Sequence, residues 1–239
     1  MKATQPRRRK SATAAEPKAK ALSLADQAYL TLRRDIISCA LKPGAELSEP
    51  ELAQRLAMSK TPVREALARL VQEGLAEIFP RRGYRVMPVT VKDVNDLFLI
   101  RGALEALACE LAARRITPTE LAAIETLAAA KYTPSEEMSV EAFVQSNNAF
   151  HRAIAEAARV PRLAALINSH LEESTRLFHI GAVARDVNPE TEDGHARITE
   201  ALRRGDDAAA RSAMIEHTES TRSGLLLALL SDLDSPLLL

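Results

Sequence analysis

Three of the five histidines in this 239-residue chain, His151, His195 and His217, fall in stretches of helical periodicity, and Asn147 stands four residues before His151. Residues four apart share a helix face, so this amide and imidazole project together. Imidazoles converging from neighbouring helices of a bundle make sites for zinc, nickel, copper or iron, with positions left for water or a small effector. Scattered histidines are more often surface or satisfied core residues, and spacing alone does not choose. His170 reads as a helix-face residue and His179 as lying near an exposed loop. Neither His-Glu-x-x-His nor Gly-x-Ser-x-Gly occurs, so no hydrolytic centre is indicated.

A second cluster is cationic and hydroxylic. Ser59, Lys60, Thr61 and Arg64 open a helix in which Val63, Ala66, Leu67 and Leu70 hold core spacing and Gly74 supplies the stop. Pro62 is tolerated there because the first helical turn has no intrahelical partner to lose. Ser48 and Glu51 read as a capping box for a shorter preceding helix, and Ala57 and Met58 form the turn between them. Leu75 to Ile78 and Tyr84 to Met87 alternate as two strands around the basic turn Arg81, Arg82, Gly83. The whole is a helix-turn-helix followed by a wing. Its exposed helix N-terminus suits phosphates and base edges. Leu24 to Leu41 is a packing helix of the same unit, ended by Pro43 and Gly44.

After Thr90 the pattern is helical throughout. Thr90 with Asp93 and Thr117-Pro118-Thr119-Glu120 are capping boxes, Pro161 opens a helix, and Gly205-Asp206 marks a stop and restart. Six helices near 91–115, 118–131, 139–158, 161–181, 190–204 and 207–231 are expected to form an antiparallel bundle.

The segments PGAELSEPELAQRL, SKTPVREALARL and EGL, followed by P-x-x-G-x-x-V, resemble the winged-helix signature of the GntR family of bacterial transcription regulators. The resemblance runs from about Leu41 to Val86 and implies that Ser59, Lys60, Thr61, Arg64 and the wing Arg81, Arg82, Gly83 contact operator DNA. Family members usually carry arginine at the position of Lys60. Lysine lacks the bidentate fork that reads guanine, which suits Lys60 to a phosphate. RGALE at 101–105, NNAFHRAI at 147–154, and His195 and His217 flanking RRGDDAAAR resemble the FCD-type ligand-binding domain of the FadR branch. The usual metal constellation of that branch is one aspartate and three histidines, implying Asn147, His151, His195 and His217 here. The aspartate is replaced. A neutral amide oxygen weakens metal affinity and leaves the site one unit more positive, favouring an anionic effector. Arg101 is a candidate second anchor for a carboxylate, matching it with a planar fork, and Glu105 one turn along competes for it.

Charge is divided along the chain. Residues 1–88 hold 17 basic and 9 acidic side chains, against 15 and 23 in residues 89–239, so the zero net charge conceals a basic DNA half and an acidic remainder. Residues 1–21, with Arg7, Arg8, Arg9 and Lys10 and little to bury, read as a disordered basic arm. Cys39 and Cys109 are lone and lie within helical patterns, as in a reducing compartment, and no apolar leader or membrane-length segment is present, pointing to the cytoplasm. The fold expected is mainly α, with a winged helix-turn-helix over 22–88 and an effector-binding, dimerising bundle over 89–239. The function expected is a homodimeric repressor released from a palindromic operator by a small carboxylate, with zinc or nickel as cofactor. Two other readings remain open: the metal is itself the signal, or a metal-dependent enzyme is fused to a DNA-binding domain.

Overall fold

A computed structural model describes residues 22–133, 136–184 and 186–231, so the basic arm expected over 1–21 lies outside the described residues. Helix α1, Leu24–Ile37, starts where the Ser23 side chain accepts from the Asp26 amide, and it buries Ala28, Leu32 and Ile36 at four-residue spacing. It stops four residues short of Leu41. Cys39, expected inside the helix, takes φ 59°, and the Leu41 amide turns back to the Asp35 carbonyl.

Helices α2 (Glu49–Arg55) and α3 (Lys60–Gln72) form the helix-turn-helix, with Ala57 in the left-handed region between them. The capping box expected of Ser48 does not form: Ser48 is the N-cap residue but its side chain makes no cap bond, and neither does that of Ser59. Pro50 in the first turn of α2 removes one of the amides such a cap would satisfy. Gly74, at φ 70°, ends the α3 segment as expected.

The wing is a three-stranded antiparallel sheet in the order β1 (Glu46–Leu47), β3 (Gly83–Val86), β2 (Ala76–Phe79). Strand β1 pairs Glu46 with Arg85 and Leu47 with Tyr84, and β2 pairs with β3 from Ala76–Val86 to Phe79–Gly83. Gly83 has φ 106°, and a Cβ there would stand 2.7 Å from the Leu47 carbonyl oxygen. Glycine at 83 thus lets β1 close on the wing.

The six bundle helices among the described residues are α4 (Val91–Ala113), α5 (Pro118–Ala128), α6 (Glu137–Ala157), α7 (Pro161–Ala184), α8 (Asn188–Arg204) and α9 (Asp207–Ser231). Both threonine capping boxes form, Pro118 sits in the first turn of α5, and Gly205 closes α8 at φ 65°. Among the described residues no helix is long and apolar enough to cross a membrane.

The winged unit rests on α7. Arg176 donates from Nη2 to the Met87 carbonyl at 2.5 Å, Cys39 Sγ reaches the Arg176 carbonyl at 3.8 Å, and Arg33 lies 3.8 Å from Glu172. Burial pushes the Cys39 thiol up, and it pushes Cys109 in α4 up to about 12, where the nearby Glu105 charge adds to it. Neither cysteine offers a thiolate at neutral pH.

Candidate metal centre and nucleic-acid interface

Among the described residues three apolar clusters fill the bundle, and a polar layer separates two of them. Along α4, Phe98 belongs to one core and Cys109 to the other, with Arg101 and Glu105 between. Along α6 the order is Val144, then Asn147 and His151, then Ile154, and along α9 it is Met214, His217, Leu225. His195 comes from α8. Arg101, Glu105, Asn147, His151, His195 and His217 are each 5% exposed or less.

The ligating nitrogens of His151, His195 and His217 lie within 4.8 Å of one another. Two nitrogens each about 2.1 Å from one ion stand no more than about 4.2 Å apart, so a small closing of the rings suffices to share it. Phe150 stacks on the His195 ring with centroids 3.8 Å apart, walling the layer from the apolar core below. A Cβ on Gly194 would lie 2.4 Å from His217 Nδ1, so the absence of a side chain at 194 gives that ring its place.

Burial holds His195 and His217 well below the ordinary histidine value. The His151 charge adds to the shift at His195, where a backbone bond to Ala128 opposes it; at His217 the other two histidines and Arg101 add, and Glu105 opposes. Both imidazoles are therefore neutral, the form that binds metal. For Glu105 burial pushes upward, but the charges of Arg101 and His151 outweigh it and hold the carboxyl well below the carboxylate range.

The layer is short of partners. His151 Nε2, His195 Nε2, Asn147 Nδ2 and Arg101 Nη1 are buried without hydrogen bonds. Each such group costs about 1–3 kcal/mol, a penalty that bound metal and anion would relieve. The donor set, three buried imidazoles whose ligating nitrogens converge, fits a divalent transition ion.

Histidines whose folded values lie below the ~6.5 of an unfolded chain make the unfolded state bind more protons in acid, so stability falls as pH drops through about 6.5. The metal-free protein should melt lower at about pH 5.5 than at about pH 7.5, and zinc should widen that gap by stabilising only the neutral form. Equal melting temperatures at the two pH values would show that these imidazoles are not held neutral.

Arg101 takes the partner that competed for it. Its Nε donates to Glu105 Oε1 at 2.7 Å, and its guanidinium lies 4.9 Å from the Phe98 ring centroid and 5.4 Å from that of Phe178. Its Nη1 is buried without a hydrogen bond. Asn147 lines a cavity of about 10 Å³ with Phe143, Phe178, Thr191 and Thr221, room for about one water. His170 bonds the Leu166 carbonyl on its own helix, as a helix-face residue does. His179 does not lie near an exposed loop: it is buried on α7, 2.9 Å from Glu141.

Ser59, Lys60, Thr61 and Arg64 all face solvent from the start of α3. Arg64 is held: its Nε and Nη2 donate to both oxygens of Glu49 on α2 at 2.8 to 3.1 Å, and that pairing lowers the Glu49 carboxyl. Arg81, at φ 69°, and Arg82 form the exposed wing tip, where Arg82 pairs with Glu46 at 2.8 Å.

A profile of the FCD domain matches residues 96–220, and one described as bacterial regulatory proteins, gntR family, matches residues 24–86. The chain belongs to the GntR family. This GntR regulator is 31% identical over 193 residues, 79% of each chain, to an uncharacterized HTH-type transcriptional regulator in an unstable DNA locus of Streptomyces ambofaciens. It is 33% identical over 132 residues to the HTH-type transcriptional repressor RspR of Escherichia coli K12, a match spanning 55% of this chain and 58% of RspR. The solved structure of E. coli McbR/YncC is similar with TM-score 0.67 at 28% identity, over 87% of this chain and 99% of that one. The protein is thus a DNA-binding transcription regulator with an FCD domain, and its histidine triad is able to hold a metal.

Four residues of the two candidate sites are not singled out by the sequence. Glu105 was seen only as a partner for Arg101, although its second oxygen faces His151. Gly194, inside a helix and beside a histidine, was a visible signal of close approach. Phe150 and Glu49 carried none, since their contacts cross between helices.

Proposed function

We propose that the protein is a cytoplasmic, homodimeric repressor whose operator affinity falls when a small organic acid binds beside a divalent ion, zinc or nickel, held by Asn147, His151, His195 and His217. The observation that carries this reading is the buried triad His151, His195 and His217, whose ligating nitrogens converge while His151 Nε2 and His195 Nε2 lack hydrogen-bond partners. The ion supplies fixed positive charge, and the Arg101 Nη1 donors add more; Asn147 brings no negative charge to oppose them. The similarity to RspR, a transcriptional repressor, supports the direction of control.

On the DNA side, residues 22–88 dock through Ser59, Lys60, Thr61 and Arg64 in the major groove and through Arg81, Arg82 and Gly83 on the flanking backbone. Two copies address a palindrome, and residues 89–239 sense and dimerise. The arm over 1–21 adds phosphate attraction. Because the cavity beside Asn147 has room for about one water, an acid must part α7 from α8 and α9 to enter. Arg176 on that same α7 grips the Met87 carbonyl just after β3, so displacement there reaches the winged unit directly.

The test is operator binding measured with zinc-loaded and zinc-stripped protein against a panel of carboxylates. Release by an acid only from the loaded protein is the expected result. Release by zinc alone would make the metal the signal, and operator affinity unmoved by metal and acids together would overturn the sensor reading.

A further inference from the structure

We propose that Glu105 is the carboxylate of the metal site, a positioning residue that acts through His151 and not on the ion itself. The proposal rests on the metal reading above and deepens it. Among the described residues Glu105 is the one buried carboxylate, and its two oxygens face different partners. Oε1 accepts from Arg101 Nε at 2.7 Å, while Oε2 lies 2.6 Å from Nδ1 of His151, out of line for a full hydrogen bond. The His151 side chain is 0% exposed and that of Glu105 2%, so no water competes for this contact.

An imidazole keeps one proton when neutral, and a carboxylate beside Nδ1 draws it there. The lone pair is then on Nε2, which is buried without a hydrogen bond. A ring turning to present Nε2 to an ion brings its Nδ1–H into line with Glu105, which fixes both the tautomer and the angle of the ring and makes the ligand nitrogen more basic. Arg101 in turn holds Glu105 from behind. The line Arg101, Glu105, His151 crosses from α4 to α6 and ends at the ion. A Glu105 serving only as the structural partner of Arg101 has no reason to turn its second oxygen on a histidine of the triad. Asn147, one turn from His151, has no charge with which to do the same.

The test uses the full-length protein loaded with zinc. Nitrogen-15 spectra of the histidine rings should show His151 protonated at Nδ1 and zinc-bound at Nε2, a signature that a merely structural Glu105 would not enforce. Glu105→Gln should raise the zinc dissociation constant about 10–100-fold, the usual effect of removing such an outer partner. It should also weaken the Nδ1–H signature of His151. The wild-type spectrum decides even where that variant folds poorly. Zinc bound to His151 through Nδ1, or a folded Glu105→Gln protein binding zinc as tightly as the wild type, would overturn this role for Glu105 while leaving the metal site in place. Wild-type protein that takes up neither zinc nor nickel would overturn the metal reading beneath it.

Discussion

Gly194→Ala should strip the metal almost as effectively as His217→Ala. The added methyl would stand 2.4 Å from His217 Nδ1 and 3.1 Å from its Cγ, so the ring must leave its place in the triad. In the interior of α8 the same change otherwise stabilises a helix by about 0.5–1 kcal/mol. Propensity and packing therefore point in opposite directions, and a variant that folds but loses zinc isolates the packing term. His217→Ala removes a ligand outright; loss of an outer partner alone costs 10–100-fold, so the affinity should fall by more than about 100-fold. Competition with a chelator of known affinity measures both variants. Undiminished zinc binding by Gly194→Ala and His217→Ala would exclude His217 from the site.

Arg64→Ala should cost about 1–3 kcal/mol of operator affinity, with folding intact because the side chain is 64% exposed and outside the core. The bidentate grip of Glu49 holds the guanidinium at one angle, so Glu49→Gln should narrow the margin between operator and scrambled DNA while removing a negative charge that opposes phosphate. Fluorescence anisotropy with both duplexes at one salt concentration separates affinity from specificity. An unchanged operator constant for Arg64→Ala would remove α3 from base recognition.

The features legible in the sequence are those decided within a few residues. Thr90 with Asp93 and Thr117 with Glu120 cap their own helices, and Gly205 ends its own, so the bundle was readable almost to its boundaries. The end of α1 was not, because Cys39 adopts a positive φ that its residue type does not announce. Strand β1 is two residues long and shows no periodicity; it exists because Gly83 lets Leu47 approach. The histidines were found by helical spacing and resemblance together. The second oxygen of Glu105 and the burial of His179 were hidden, since each depends on which helix packs opposite.

The most direct measurement is the metal content of the unaltered protein purified without chelators. The account predicts about one zinc or nickel ion per chain, released in acid as the imidazoles protonate. A protein that carries no metal, and that a carboxylate nonetheless releases from its operator, would contradict it.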